Sequence, residues 1–167
     1  MTLVGLLNDF LLQKKIGGLS PKTIDSYKNA LHVLVLYAGD SLSLKELTQD
    51  LVNAYILDLY DRDLSRATVS TYVCSLKIFL RWIHQEYTLC FDPTKIKIPK
   101  SPKKIVHIYS DSEIRLIFSV IQNISSTPWI NARNAAMVSL MLDSGIRQCE
   151  VCGLLRENMD FSGGRMK

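Results

Sequence analysis

Cysteine and histidine are too scarce and too scattered in this chain to announce a metal centre or a disulfide scaffold. The four cysteines are Cys74, Cys90, Cys149 and Cys152. Cys149-x-x-Cys152 has the spacing of half a zinc site or of a redox pair, but no second pair completes a tetrahedral set. The cysteines read as ordinary reduced, partly buried thiols, and no metal is expected. His32, His84 and His107 lie far apart, without partnered acids, and read as surface or core histidines. No apolar stretch reaches membrane-spanning length without a charge or a turn residue. Met1 to Phe10 has neither the basic start nor the small-residue cleavage site of a signal peptide, so the expected location is cytoplasmic. No fixed-period repeat of the kind that builds helical arrays is present, which counts against a helical protein-interaction module.

What the sequence does have is apolar residue, 47% of 167 positions, enough for a packed core in one domain or two small ones. The net charge of +4 says little until it is located. Lys95, Lys97, Lys100, Lys103 and Lys104 fall within one short segment that carries a single acid, Asp92, so the remainder of the chain is close to neutral. A local basic stretch of this kind suits a polyanion, with a solvated linker as the bland alternative.

Helical spacing and caps divide the chain before that stretch. Leu3, Leu6, Leu7, Phe10 and Leu11 predict an amphipathic helix over 3–16, ended by Gly17-Gly18. Ser20-Pro21 opens a second, with Ile24, Tyr27, Leu31 and Leu34 inward, stopping near Gly39. Lys22, Ser26 and Asn29 lie off that stripe. Ser43-Leu44-Lys45-Glu46 is a capping box and predicts a third helix from Leu44 to about Asp61. A fourth starts after Ser65, with Val69, Tyr72, Val73, Leu76, Leu80 and Ile83 inward. Ser70, Lys77, Arg81 and His84 recur on another face, basic and polar as a phosphate-contacting surface would be. Arg66 stands at the start of this helix. Residues 93–108, with three prolines (Pro93, Pro99 and Pro102) and no helical or strand period, read as an extended connector.

Beyond it, Ser110 to Glu113 is another capping box, followed by Ile114, Ile117, Phe118 and Ile121 at helical spacing. Ser125 to Pro128 is a loop. Ile130 to Ser144 is so apolar that it predicts a central core helix. Gly145 permits a left-handed helix end there, so the chain turns sharply and restarts with Arg147 at the head of a short helix. A guanidinium in that position, beside backbone N–H groups, can grip a phosphate with a two-pronged fork. The plainer alternative is an ordinary helix-start arginine pairing with Glu150. Phe161 to Lys167 looks like the entry to a β-hairpin, with Gly163-Gly164 as its turn.

Gly145-Ile146-Arg147-x-x-Glu150-x-x-x-Leu154 resembles the box around the first catalytic arginine of tyrosine site-specific recombinases, the phage-integrase family. Arg133 and Ala136 resemble the family's preceding helix, whereas Cys149 stands where a serine or similar small residue is usual. Ser20-x-x-Thr23-x-x-x-Tyr27-x-x-x-Leu31, Thr68 through Phe79, and Asp92-Pro93 (Asn-Pro in most members) resemble its core-binding domain. The fold the resemblance implies is mainly α. A four-helix SAM-like core-binding bundle over 1–92 would be followed by a basic linker over 93–108. The first helices of a mixed α/β catalytic domain would occupy 109–167, left incomplete.

The activity it implies is DNA strand exchange. A tyrosine hydroxyl attacks a backbone phosphate and forms a 3′-phosphotyrosyl link, which a 5′-hydroxyl then reverses, with no nucleotide or redox cofactor. Arg147 would be catalytic, gripping the scissile phosphate, and Glu150 would support it. Removing one such donor from an intact enzyme costs roughly 3–4 kcal/mol of transition-state stabilisation. Lys22, Arg66, Ser70, Lys77, Arg81, Lys95, Lys97, Lys100, Lys103 and Lys104 are the candidate contacts to double-stranded DNA. The family's catalytic lysine, its His-x-x-Arg box and its late tyrosine have no match here. The chain therefore reads as the N-terminal portion of a mobile-element type recombinase that binds DNA without turnover, or as a non-catalytic architectural or competitor relative. Family members act as tetramers on DNA; this portion is expected to be monomeric in solution.

Overall fold

Hydroxyl side chains set the start of every helix in the N-terminal half. Thr2, Ser20, Thr48 and Ser65 are each in extended conformation, and each accepts a hydrogen bond from the amide three residues on. The helices so begun are α1 (Leu3–Ile16), α2 (Pro21–Ala38), α3 (Gln49–Asp61) and α4 (Arg66–Tyr87). The computed structural model describes residues 1–101, 105–160 and 162–166. It divides into two units, Met1–Lys104 and Ile105–Lys167.

In the first unit the inward stripes of the four helices meet in one core. Leu3, Leu6 and Phe10 of α1, Leu31 and Leu34 of α2, Val52, Tyr55 and Leu59 of α3, and Val73, Leu76, Leu80 and Ile83 of α4 are all buried. Phe10 is its hub, with ring centroids 5.6 Å from Tyr27, 5.2 Å from Phe79 and 5.5 Å from Trp82. These edge-on and tilted pairings are the geometry that aromatic quadrupoles favour. The Trp82 indole N–H donates to Gln13 Oε1 at 2.9 Å, so its polar edge is satisfied as well.

Two expectations for this unit change. The third helix does not run unbroken from Leu44. Leu44–Glu46 is one 3₁₀ turn, Leu47 drops into the core, and Thr48 caps a fresh helix. The Glu46 carboxylate folds back onto the Ser43 N–H at 2.8 Å and its hydroxyl at 2.6 Å, so the box caps this single turn. Burial of Leu47 wins over continuation of the helix. The connector also begins as part of the bundle. Asp92 Oδ1 accepts from the Thr94 N–H (2.9 Å) and hydroxyl (2.7 Å), Pro93–Lys95 forms a 3₁₀ turn, and Pro93 and Ile96 are buried.

The second unit holds α5 (Asp111–Ile121), α6 (Pro128–Ser144) and α7 (Gln148–Cys152), then a minimal antiparallel hairpin of β1 (Met159–Asp160) and β2 (Arg165–Met166). Ser110 and Glu113 form the expected capping box at α5. Pro128 occupies the first turn of α6, which begins two residues before the predicted start because a fixed φ suits that position. Asn131 ties the preceding loop, donating to the Gln122 and Ser125 carbonyls at 2.8 Å and accepting from the Ser125 N–H at 3.1 Å. The predicted central burial of α6 is not met among the described residues. None of its side chains is buried, and Ile121 and Val151 are the unit's buried hydrophobics. An all-round apolar helix needs cover on several sides, and here α5 and α7 are the helices packed on it.

Candidate functional site

Two places could carry chemistry or recognition: the turn that presents Arg147, and the grooves around α2 and α4. Each lies within one unit.

At the turn, α6 ends on Gly145 with φ +69°, the left-handed conformation that the sequence requires of it, and the Gly145 N–H closes on Met141 O at 3.0 Å. Arg147 comes next but one, as the extended residue heading α7. Its N–H donates to Glu150 Oε2 at 2.8 Å, and its Nη1 donates to Glu150 Oε1 at 3.2 Å. One carboxylate thus holds both the main chain and the side chain of the arginine. The backbone bond, then the side-chain bond, keep the Glu150 carboxyl below its ordinary range. The Arg147 side chain remains 79% exposed, and Glu150 48%. Arg133, near the start of α6, lies over the Trp129 ring at 5.4 Å. It also lines an open groove of about 570 Å³ with Ala136, Met137, Leu140, Val151 and Met159.

In the bundle, α2 and α4 flank a hydroxyl-rich groove of about 410 Å³. Thr23, Ser26 and Tyr27 come from α2, Ser70, Thr71 and Ser75 from α4, and Ile98 from the connector. The two helices open with the same cap, in which Ser20 Oγ lies 2.8 Å from Thr23 Oγ1 and Ser65 Oγ lies 2.8 Å from Thr68 Oγ1. Of the candidate contacts, Ser70 lies in this groove, and Lys22 and Arg66 are exposed in the first turns of α2 and α4. Arg81 borders a different, smaller depression that it shares with Lys14. Lys95 and Lys97 border a third, beside Gln49 and Asn53 of α3. Lys100 is exposed, and Lys103 and Lys104 lie outside the described residues.

The predicted polar face of α4 is therefore not one stripe. Lys77 is half-buried, and its ammonium donates to the carbonyls of Thr94 (2.8 Å) and Ile96 (2.7 Å). His84 Nδ1 accepts the Leu89 N–H at 3.2 Å. The residues that sequence reasoning passed over are Thr23, Thr71, Lys14, Gln49 and Asn53. The Ser20-x-x-Thr23 opening of α2 was the available signal for Thr23; the others had none. Among the described residues no cluster of three metal-ligating side chains occurs, and no helix is long and apolar enough to cross a membrane.

Comparison with known proteins shows what the chain is similar to. Residues 6–88 match the phage integrase N-terminal SAM-like domain. Tyrosine recombinase XerC of Bacillus pumilus is 27% identical over 163 residues, covering 96% of this chain and 52% of that protein. Tyrosine recombinase XerD of Oceanobacillus iheyensis is 27% identical over 141 residues, 82% of this chain and 46% of that protein. The chain thus spans about half the length of the curated relatives it matches. Among solved structures, the Tn1549 transposon integrase in complex with transposon right end DNA superposes with a TM-score of 0.74 at 18% identity, over 96% of this chain and 50% of that one. That likeness shows the shared fold. The match over residues 6–88, together with the tyrosine recombinase relatives, places the chain in the tyrosine recombinase (phage integrase) family, with residues 6–88 as its N-terminal core-binding region.

Proposed function

We propose that this chain binds double-stranded DNA for a tyrosine recombinase and does not itself cut it. The α2–α4 groove carries the reading. Ser26 and Ser70 in this groove, with the exposed cations Lys22 and Arg66 one helical turn before them on α2 and α4, suit sugar–phosphate contacts that position a duplex without reading its sequence. Lys95, Lys97, Lys100, Lys103 and Lys104 add the salt-dependent attraction of counterion release. The Tn1549 integrase of the same fold is described bound to DNA. Arg147 would be the first member of a phosphate clamp whose other members have no match in this sequence. Transition-state charge would then be met by one guanidinium where an intact site supplies several donors. The cytoplasmic setting, action within a mobile element, a tetramer for the whole recombinase and a monomer for this chain belong to the same proposal.

The test is fluorescence anisotropy on a labelled generic duplex across a salt series. Replacing the five connector lysines with glutamine is expected to flatten the log K against log salt slope by about one unit per lost contact. An unchanged slope would remove the connector from the interface. On a denaturing gel, no nicked strand and no covalent protein–DNA product is expected, and either product would sink the non-catalytic reading.

A further inference from the structure

The half-buried ammonium of Lys77 is aimed inward. Its Nζ sits 2.8 Å from Thr94 O and 2.7 Å from Ile96 O, carbonyls two residues apart on the connector, 17 and 19 residues away in sequence. An ammonium has three donors, so two are committed to the protein's own backbone. Around this fork the segment is held by independent devices. Asp92 caps the 3₁₀ turn through the Thr94 N–H and hydroxyl, and Pro93 and Ile96 are buried against the bundle. The two lysines flanking Ile96, Lys95 and Lys97, remain exposed on the α3 side. A charged donor bound to neutral carbonyls makes a stronger hydrogen bond than a neutral donor does.

We infer that Lys77 is a positioning residue rather than a contact of the duplex: it staples the start of the connector to α4 and so presents Lys95 and Lys97 as a fixed pair of cations. The staple stands on the geometry alone, while the use of the presented pair rests on the DNA-binding reading above.

The experiment has two arms, run on the full chain with K77M, which keeps the apolar stem, and K77R, which keeps the charge and the donors. The first arm is limited trypsin digestion without DNA. Cleavage needs the segment to open into an extended strand, so its rate reports the open population. Cutting after Lys95 and Lys97 is expected to quicken at least ~10-fold in K77M, with partial protection restored in K77R, while helical circular dichroism and the urea midpoint stay near wild type. Equal cutting rates in K77M and wild type would overturn the staple. A K77M chain that lost its helices would be replaced by K77Q, judged on the same rates.

The second arm is a double-mutant cycle in duplex binding with K95Q/K97Q. If Lys77 acts through the connector, K77M weakens binding in the wild-type background and adds no further loss of salt slope in the K95Q/K97Q background. A further loss of about one slope unit there means that Lys77 itself touches phosphate, which overturns the inference. A wild-type chain that binds no duplex at low salt would refute the DNA-binding reading, and the digestion arm would still decide the staple.

Discussion

Replacing Tyr55 with phenylalanine should stabilise the bundle. Tyr55 is 1% exposed in the core of α3, and its hydroxyl is the buried side-chain polar atom without a hydrogen-bond partner among the described residues. A buried donor left unmade carries a desolvation penalty of about 1–3 kcal/mol. Phenylalanine keeps the ring and its packing on Tyr37, whose centroid lies 5.4 Å away, and gives up one oxygen and a small part of its contacts. The net gain expected is about 1 kcal/mol, equivalent to roughly 4–8 °C in Tm for a domain of this size.

A pH series makes the test specific. Burial pushes the Tyr55 hydroxyl well above its ordinary value of 10.0. Its contribution to stability is therefore whole below pH 10 and is lost above it, because the unfolded chain releases this proton while the folded one holds it. Wild type should lose about 1.4 kcal/mol per pH unit from this group once pH exceeds 10, and Y55F should not. Urea unfolding monitored by Trp82 fluorescence, from neutral to alkaline pH, reads both effects. A destabilised Y55F, or curves that stay parallel above pH 10, would show that the hydroxyl has a partner or reaches water, and the reasoning would fail.

Three further outcomes are expected in other parts of the chain. Phe79→Ala removes a ring packed on Phe10 and Trp82 and should cost about 3–5 kcal/mol in urea unfolding, with a residual cavity near Trp82. Gly145→Ala meets no atom within 4 Å but must hold φ +69°, so it should cost roughly 1–2 kcal/mol of pure backbone strain. Gly145→Asn should cost less, measured by hydrogen exchange in α6 and α7. The Glu150 carboxyl should titrate below its ordinary 4.5 in an NMR pH series. Its two bonds to Arg147 stabilise α7 above that pH and are lost as pH falls through the lowered value; a normal titration would mean the bonds do not persist in solution.

How much of this was legible in the sequence depends on how far apart the interacting groups lie. Helix starts are local, and the caps at Ser20, Ser65 and Ser110 fall where the residues say they should. The Gly145 turn and the Arg147–Glu150 pair are likewise written within six residues. The break at Leu47 was hidden because residues 44–61 satisfy a helical pattern, and only the shape of the core decides that Leu47 goes in. Lys77 was misplaced for the same reason. Periodicity sets it beside Ser70 and Arg81, but a connector packed on α4 turns part of that face into interior. The Tyr55 hydroxyl carries no sequence signal, since an unpartnered group is defined by what fails to approach it.

The contrast between the two places where function could reside is one of preorganisation. The α2–α4 groove, the proposed contact surface, rests on a dense core, so its side chains are carried by helices that cannot easily move. Arg147 is held differently. Its backbone is set by the Gly145 turn and by Glu150, but the guanidinium is 79% exposed and its one ion pair, at 3.2 Å, is solvent-facing. Exposed pairs of this kind are screened by water and add little. Electrostatic catalysis depends on donors already aimed and shielded from water before charge develops. Among the described residues Glu150 is the side chain that meets the guanidinium, through a single solvent-facing bond. An arginine so placed is open to a phosphate from solvent, and the charge it can stabilise there is set by the donors and the cover that meet it.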